Sequence, residues 1–316
     1  MNEGWEATGW KEAGRQDGRT AGRRSRRAWL GGCVLLVSAI VGCGAPPREV
    51  PATTASATRV VSLVPAATEM LYAIGAGPDV VAVSSFDRFP AEVADLPRVG
   101  ALIDPDFERI LSLRPTLVVV YESQDDLIAR LDRARIPVFH YRHAVTGALA
   151  QVTDTMRQLG DALDRTAGAE TAAATIEREL DDVRRAVGAR TRPLTALVFG
   201  REPGELRGIY ASGGVGFLHE LLETAGGQDA FADIPRESVQ VSTEMLLARR
   251  PDVLIELRTS AGEAGTVNAE RAVWNRLSAL PAVRDRRVHV LTDPSLSIPG
   301  PRIAQAARTL FSLMHE

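Results

Sequence analysis

Glu108-Arg-Ile-Leu-Ser-Leu-Arg-Pro-Thr-Leu-Val-Val-Val120 returns in the second half of the chain as Glu244-Met-Leu-Leu-Ala-Arg-Arg-Pro-Asp-Val-Leu-Ile-Glu256. Four of the thirteen positions are identical (Glu108/Glu244, Leu111/Leu247, Arg114/Arg250, Pro115/Pro251), and four more pair aliphatic with aliphatic. Each copy reads as a helix stopped by proline, which has no N–H to continue it, followed by a β-branched strand. Such junctions converge on the proline and the apolar positions, but nothing in that constraint demands a glutamate at the start of both helices. Glu69-Met-Leu-Tyr-Ala-Ile-Gly75 is echoed in the same way by Glu220-Leu-Leu-Glu-Thr-Ala-Gly226. Two pseudo-equivalent lobes are therefore expected.

The flanking sequence gives each lobe its grammar. Strands are predicted at Thr58–Leu63, Asp79–Val83, Leu117–Tyr121 and Pro137–Tyr141. Helices are predicted at Pro65–Ile74, closed by Gly75, at Asp106–Leu113 and at Gln124–Ala134. Alternation at this spacing implies a parallel sheet covered on both faces. The pattern resumes from Pro193–Phe199 and runs to a C-terminal helix after Arg302. Residues 145–188 contain neither a strand pattern nor proline and split near 160–168 into two helices. The second, about Ala169 to Val187, would span roughly 28 Å and make a stiff connection. The expected fold is α/β: two Rossmann-like lobes with parallel sheets, 58–144 and 191–316, joined through 145–190 by a long interdomain helix.

The first 43 residues belong to a different kind of segment. Arg23, Arg24, Arg26 and Arg27 precede the apolar run Ala28–Val41, which is too short to span a bilayer but suits the apolar region of an export signal. It ends Ile40-Val41-Gly42-Cys43, which resembles the lipobox of bacterial lipoproteins; Cys43 is the expected lipidation site. Ser25-Arg26-Arg27-Ala28 also resembles a twin-arginine signal. Residues 44–57, rich in Pro, Ala and Thr, read as a flexible tether. Residues 1–43 carry seven of the 37 basic groups and four of the 40 acidic ones, so the remainder holds 30 against 36. That balance gives no basic footprint, and nucleic acid is excluded as a partner. Cys33 leaves with the signal, so the folded body has no thiol for catalysis, metal binding or bridging, and it must be stable through core burial alone.

Seven blocks in order carry a family resemblance: "RVVSLVPAATEMLYAIGAG", "VAVSSFDRFP", "LPRVG", "FERILSLRPTLVVV", "YASGGVGFLHELLETAGGQDAFAD", "VQVSTEMLLARRPDVLIE" and "GPRIAQAARTL". Over 58–315 the chain resembles the helical-backbone (class III) periplasmic substrate-binding proteins of ABC importers, those for cobalamin, ferric siderophores and haem. It is nearest to the cobalamin-binding members through "VSSFDRFP", "QVSTEMLLAR" and "PRI". The resemblance implies a monomer that binds a metal chelate between its lobes and hydrolyses nothing. It also implies that one glutamate per lobe docks into arginine pockets of the permease; the matching positions are Glu108 and Glu244. Exposed carboxylates near helix starts are favoured by the helix dipole as well.

In such a fold the ligand lies beyond the carboxyl ends of the strands. The candidates are Pro65 and Ala66, Phe86, Tyr121 with Glu122 and Ser123, Arg201, Tyr210, and the loop Asp293–Pro299 with Ser295. Aromatic faces suit a flat macrocycle, and arginine suits its carboxylate or phosphate groups. The cleft tryptophans of cobalamin binders have no counterpart: Leu102, Ser238 and Tyr121 stand at those positions. A haem reading would draw on Tyr121 or on His140-Tyr141-Arg142-His143, although the haem-binding members' own motif ahead of "FERIL" is absent. No metal site of the protein's own is expected, because His219, His289 and His315 are scattered. As an enzyme the chain would offer Glu69, Asp104 and Glu108 as acids and bases, without a nucleophile elbow, phosphate loop or metal cluster. Gly213-Gly214-Val-Gly216 lacks the Lys-Ser/Thr of a nucleotide site and reads as a tight strand–helix turn. A structural lipoprotein with an idle cleft is the third reading.

Overall fold

In the computed structural model residues 58–258 and 264–315 are described. The predicted export segment 1–43, Cys43 and the tether 44–57 lie outside the described residues. The first lobe runs β1 (Val60–Ser62), α1 (Pro65–Ala73), β2 (Val80–Val83), α2 (Phe107–Ser112), β3 (Leu117–Tyr121), α3 (Asp125–Arg133) and β4 (Val138–Tyr141). Its sheet has the order β2-β1-β3-β4, and every pair is parallel. Val60, Val61 and Val118 to Val120 have no exposed surface. Burial on both faces is why these strands are continuous apolar runs instead of alternating ones.

Two helices follow, α4 (Ala148–Ala162) and α5 (Thr166–Val187). The 22 residues of α5 extend about 33 Å. Gly168 permits its close approach to the first lobe, since a Cβ there would stand 2.4 Å from the carbonyl oxygen of Ile74. On the solvent side Arg157 of α4 grips Glu170 (2.7 Å) and Glu177 (2.8 Å) of α5.

The second lobe runs β5 (Leu194–Gly200), β6 (Ile209–Ser212), α6 (Phe217–Thr224), β7 (Gln228–Asp229), β8 (Ser238–Val241), α7 (Thr243–Arg249), β9 (Val253–Leu257), α8 (Ala264–Val273), α9 (Pro281–Arg284), β10 (Val288–Leu291) and α10 (Ile303–His315). Its sheet has the order β10-β9-β5-β6-β8, with β7 beside β5. The expectation of a second wholly parallel sheet is corrected: β6 runs antiparallel to both β5 and β8. Only residues 201–208 join β5 to β6, fewer than a parallel crossover needs, so the chain turns straight back. The order β6-β5-β9-β10 nonetheless reproduces β2-β1-β3-β4.

The repeated sequence has one structural meaning in both lobes. Glu108 and Glu244 are each the second residue of their helix, and the preceding caps are side chains: Asp106 accepts from the Arg109 amide and Ser242 from the Met245 amide. Arg114 and Arg250 both end the turn in the left-handed region, at φ 48° and 54°, just ahead of Pro115 and Pro251. Nothing in the structure explains arginine rather than glycine at that place.

One apolar core runs through both lobes. It takes Val60, Met70 and Tyr141 from the first, Met156 and Ile176 from the connecting helices, and Leu221, Ile255 and Leu310 from the second. Separate clusters fill the outer faces, around Ile110 and Leu131 in the first lobe and Phe231 and Trp274 in the second. The lobes thus share an interior as well as a connecting helix, so relative motion is confined to small changes of aperture; wide separation would expose buried apolar surface.

Candidate functional site

A cavity of about 520 Å³ opens between the lobes at the carboxyl ends of the strands. Of the ligand contacts expected from the sequence, Pro65 and Ala66 at the start of α1, Phe86 after β2 and Tyr121 at the end of β3 line it. Arg88, Tyr141 and His143 complete the wall on the first lobe, and Pro294 with Ser297–Pro299 close it from the second. Tyr121 and Tyr141 are register partners on β3 and β4. Their rings meet edge to face, with centroids 5.6 Å apart at 85°. Burial pushes both phenols up from their ordinary values, so they are neutral hydroxyls at neutral pH.

The turn that carries Phe86 and Arg88 is held from beneath. Asp87 is fully buried, and its Oδ2 accepts the amide (2.9 Å) and hydroxyl (2.5 Å) of Ser84. Arg98 donates to the carbonyls of Ser84 and Asp87, each at 3.0 Å. Burial raises the Asp87 carboxyl, and its bonds to Ser84 and Thr68 oppose that rise. Phe86 is left 66% exposed, an apolar ring presented to the cavity mouth. Arg88 donates to the carbonyls of Ser85 and Asp87 and remains exposed. Among the described residues lining the cavity, it is the only permanent charge. Opposite, His143 Nε2 lies 2.6 Å from Glu237 Oε1 of the second lobe.

Three predicted contacts are placed elsewhere. The side chain of Arg201 has no exposed surface; it pairs with Glu256 (3.1 Å) and Glu270 (2.7 Å) and donates to the Glu202 and Glu205 carbonyls. It organises the interior of the second lobe and is closed to a ligand. Tyr210 stands on β6 against Gly200, 41% exposed, outside the cavity. Ser295 is 1% exposed: its amide donates to Asp293 (2.9 Å), while its neighbours Pro294 and Ser297 take the cavity positions. His140 is exposed and does not line the cavity; the alternation of β4 turns Tyr141 inward instead. Arg88 carried no separate signal, although it sits two residues beyond Phe86 in "SSFDRFP".

Glu108 and Glu244 lie outside the cavity, on exposed helix starts. The Glu108 side chain is 84% exposed, with Arg130 3.9 Å away. Hydrogen bonds from Ser242, the backbone and Thr243 hold the Glu244 carboxyl below its usual range. Each helix precedes a strand by a short connection, so both glutamates lie at the end of their lobe where the strands terminate. Among the described residues no three or more His, Cys, Asp or Glu side chains are grouped to hold a metal ion, and no helix is long and apolar enough to cross a membrane.

Residues 60–294 match the family described as periplasmic binding protein. The chain belongs to that family. It is 30% identical over 263 residues to the vitamin B12-binding protein of Salmonella typhimurium (strain LT2), a match covering 83% of this chain and 91% of that one. Among solved structures, the periplasmic vitamin B12 binding protein BtuF of Vibrio cholerae superposes with a TM-score of 0.68 at 25% identity, covering 81% and 96% of the two chains. The periplasmic heme-binding protein RhuT of Roseiflexus sp. RS-1 superposes with a TM-score of 0.70 at 28% identity, covering 82% and 98%. This periplasmic binding protein is thus of the helical-backbone kind that serves ABC importers, and the relatives it matches are named as solute-binding proteins.

Proposed function

We propose that this protein captures a metal chelate, with cobalamin or a related corrinoid favoured, in the interlobe cavity and delivers it to an ABC permease. The observation that carries the reading is the cavity itself: aromatic and proline walls suited to a flat apolar body, with a single guanidinium at Arg88 suited to an anionic or carbonyl-rich edge. The role the sequence assigned to Arg201 passes to Arg88. Identity of 30% across most of a vitamin B12-binding protein supports the corrinoid. Haem is the second reading, favoured by one specific feature: Tyr121, Tyr141 and His143 bring oxygen and nitrogen donors to the same cavity.

In this reading Glu108 and Glu244 present one exposed carboxylate per lobe to arginines of the permease, whose ATPase supplies the energy. Cys43, once acylated, tethers the protein to a membrane through 44–57; each buried lipid methylene adds about 0.8 kcal/mol. The test is gel filtration of the purified protein with cyanocobalamin, haemin and a ferric siderophore. A stoichiometric complex with unchanged ligand is expected, weakened about tenfold by Arg88→Ala, as befits one charge-assisted contact. Chemical conversion of the ligand, or no complex with any of the three, would overturn the reading. Reversing both glutamates (Glu108→Arg with Glu244→Arg) is expected to abolish uptake and leave that affinity unchanged; equal loss of both would refute the docking role.

A further inference from the structure

Glu69 and Glu220 hold equivalent places in the two lobes. Each lies in the helix that the second sequence echo pairs, α1 or α6, and each is followed by a glycine in the left-handed region, Gly75 at φ +85° and Gly226 at φ +87°. The turns match bond for bond: the Ala76 amide donates to Leu71 and the Gly227 amide to Leu222. Both carboxylates leave their own lobe. Glu69 takes the guanidinium of Arg302 with two bonds, 2.9 Å from Nε and 2.5 Å from Nη2. Arg302 immediately precedes α10, and its carbonyl accepts a helical bond from Ala306. Glu220 Oε2 accepts the amide of Leu149, at 3.1 Å, in the first turn of α4. That helix begins at Gly147, which has no side chain to cap it, so the cap is supplied from the other lobe. Because α4 follows the last strand of the first sheet and α10 the last strand of the second, the two contacts are related by the same pseudosymmetry as the lobes.

We propose that Glu69 and Glu220 are a symmetric pair of positioning residues, clasps that set the aperture of the ligand cavity. The segment ahead of α4 carries His143, and the segment ahead of α10 carries Ser297–Pro299; these are opposite walls of the cavity. Each clasp therefore ties a wall-bearing segment of one lobe to the first long helix of the other. The two differ in strength. The Glu69 side chain is 3% exposed and Arg302 lies over the Phe89 ring at 4.1 Å, a buried and charge-paired contact. Glu220 is half-buried, and its partner is a neutral amide. Lobe motion pivots about Glu69–Arg302 and yields on the side of Glu220–Leu149, where the exposed His143–Glu237 contact and the Gly216 amide on the Val145 carbonyl (2.8 Å) also cross between the lobes.

The test needs no ligand, so its outcome is independent of which chelate the cavity takes. Spin labels at Asp132→Cys and Arg207→Cys, in the full chain with Cys33→Ser and Cys43→Ser, report the interlobe distance distribution by pulsed dipolar spectroscopy. Glu220→Ala is expected to raise the population at longer distances about fivefold, the factor corresponding to one lost helix cap. Glu220→Gln keeps an acceptor oxygen and is expected to restore the parent distribution, which a loss of general stability would not do. Glu69→Ala is expected to broaden the distribution further. Because Glu220 is half-buried and pairs with a single amide, its variants are expected to fold and decide the matter even if Glu69→Ala does not. An unchanged distribution in a cooperatively melting Glu220→Ala protein would overturn the proposal.

Discussion

Replacing Arg201 by methionine separates a ligand contact from a structural one. The substitution keeps most of the side-chain volume and removes a charge whose side chain has no exposed surface. Breaking a buried pair by deleting one partner costs about 3–5 kcal/mol, because the other charge is left buried and uncompensated. Here the two carboxylates are not wholly abandoned. Arg258 still lies 2.8 Å from Glu256 and 3.3 Å from Glu270, and Trp274 Nε1 still donates to Glu256 at 2.7 Å. The low end, about 3 kcal/mol, is therefore expected. For a cooperative unit of this size that lowers Tm by roughly 6–12 °C. Thermal unfolding followed by circular dichroism reads the loss, and titration with whichever chelate the parent binds reads affinity. A Tm within about 2 °C of the parent, or a fall in affinity without a fall in Tm, would refute the placement of Arg201 in the lobe interior.

The remaining predictions concern the connecting helices. Gly168→Ala places a methyl 2.4 Å from the Ile74 carbonyl, so α5 must shift from α1; a loss of about 1–3 kcal/mol in denaturant unfolding is expected, and a neutral result would contradict the close approach. Hydrogen bonds from Arg157 hold the Glu170 and Glu177 carboxyls below their usual range. Depressed native values mean that this contribution is present above the ordinary carboxylate range and is lost as pH falls through the native ones. Arg157→Ala is accordingly expected to flatten the acid limb of the stability profile, by a small amount since the groups are exposed; an identical limb in both proteins would refute the link.

Much of this protein was legible in the chain because its signals are local. A proline ends a helix wherever it falls, and strands covered on both faces are apolar throughout, so the positions of α1 to α3, β1 to β4 and the helix pair could be read from sequence. Four of the first lobe's cavity residues were legible for a related reason: Pro65, Ala66, Phe86 and Tyr121 follow strands whose direction the alternation of strands and helices determines, whereas Arg88 was not. The second lobe misled because the short segment between β5 and β6 carries no periodicity, and the reversal of β6 follows from its length alone.

Arginine was the least readable residue type. Arg88 and Arg201 both follow strands or turns near the predicted cleft, yet one is exposed at the cavity and the other closed inside a lobe. The difference lies in carboxylates 55 and 69 positions away in sequence, Glu256 and Glu270. Sequence by itself determined the two lobes, the helix between them and the paired glutamates at equivalent helix starts, since each depends on neighbours along the chain. Tertiary structure alone decided which charge is buried, which is presented to the cavity, and where Glu69 and Glu220 reach. The energy of a charge is set by the dielectric and the partners that folding brings around it, and those partners come from the opposite lobe or from a strand and a helix distant in sequence.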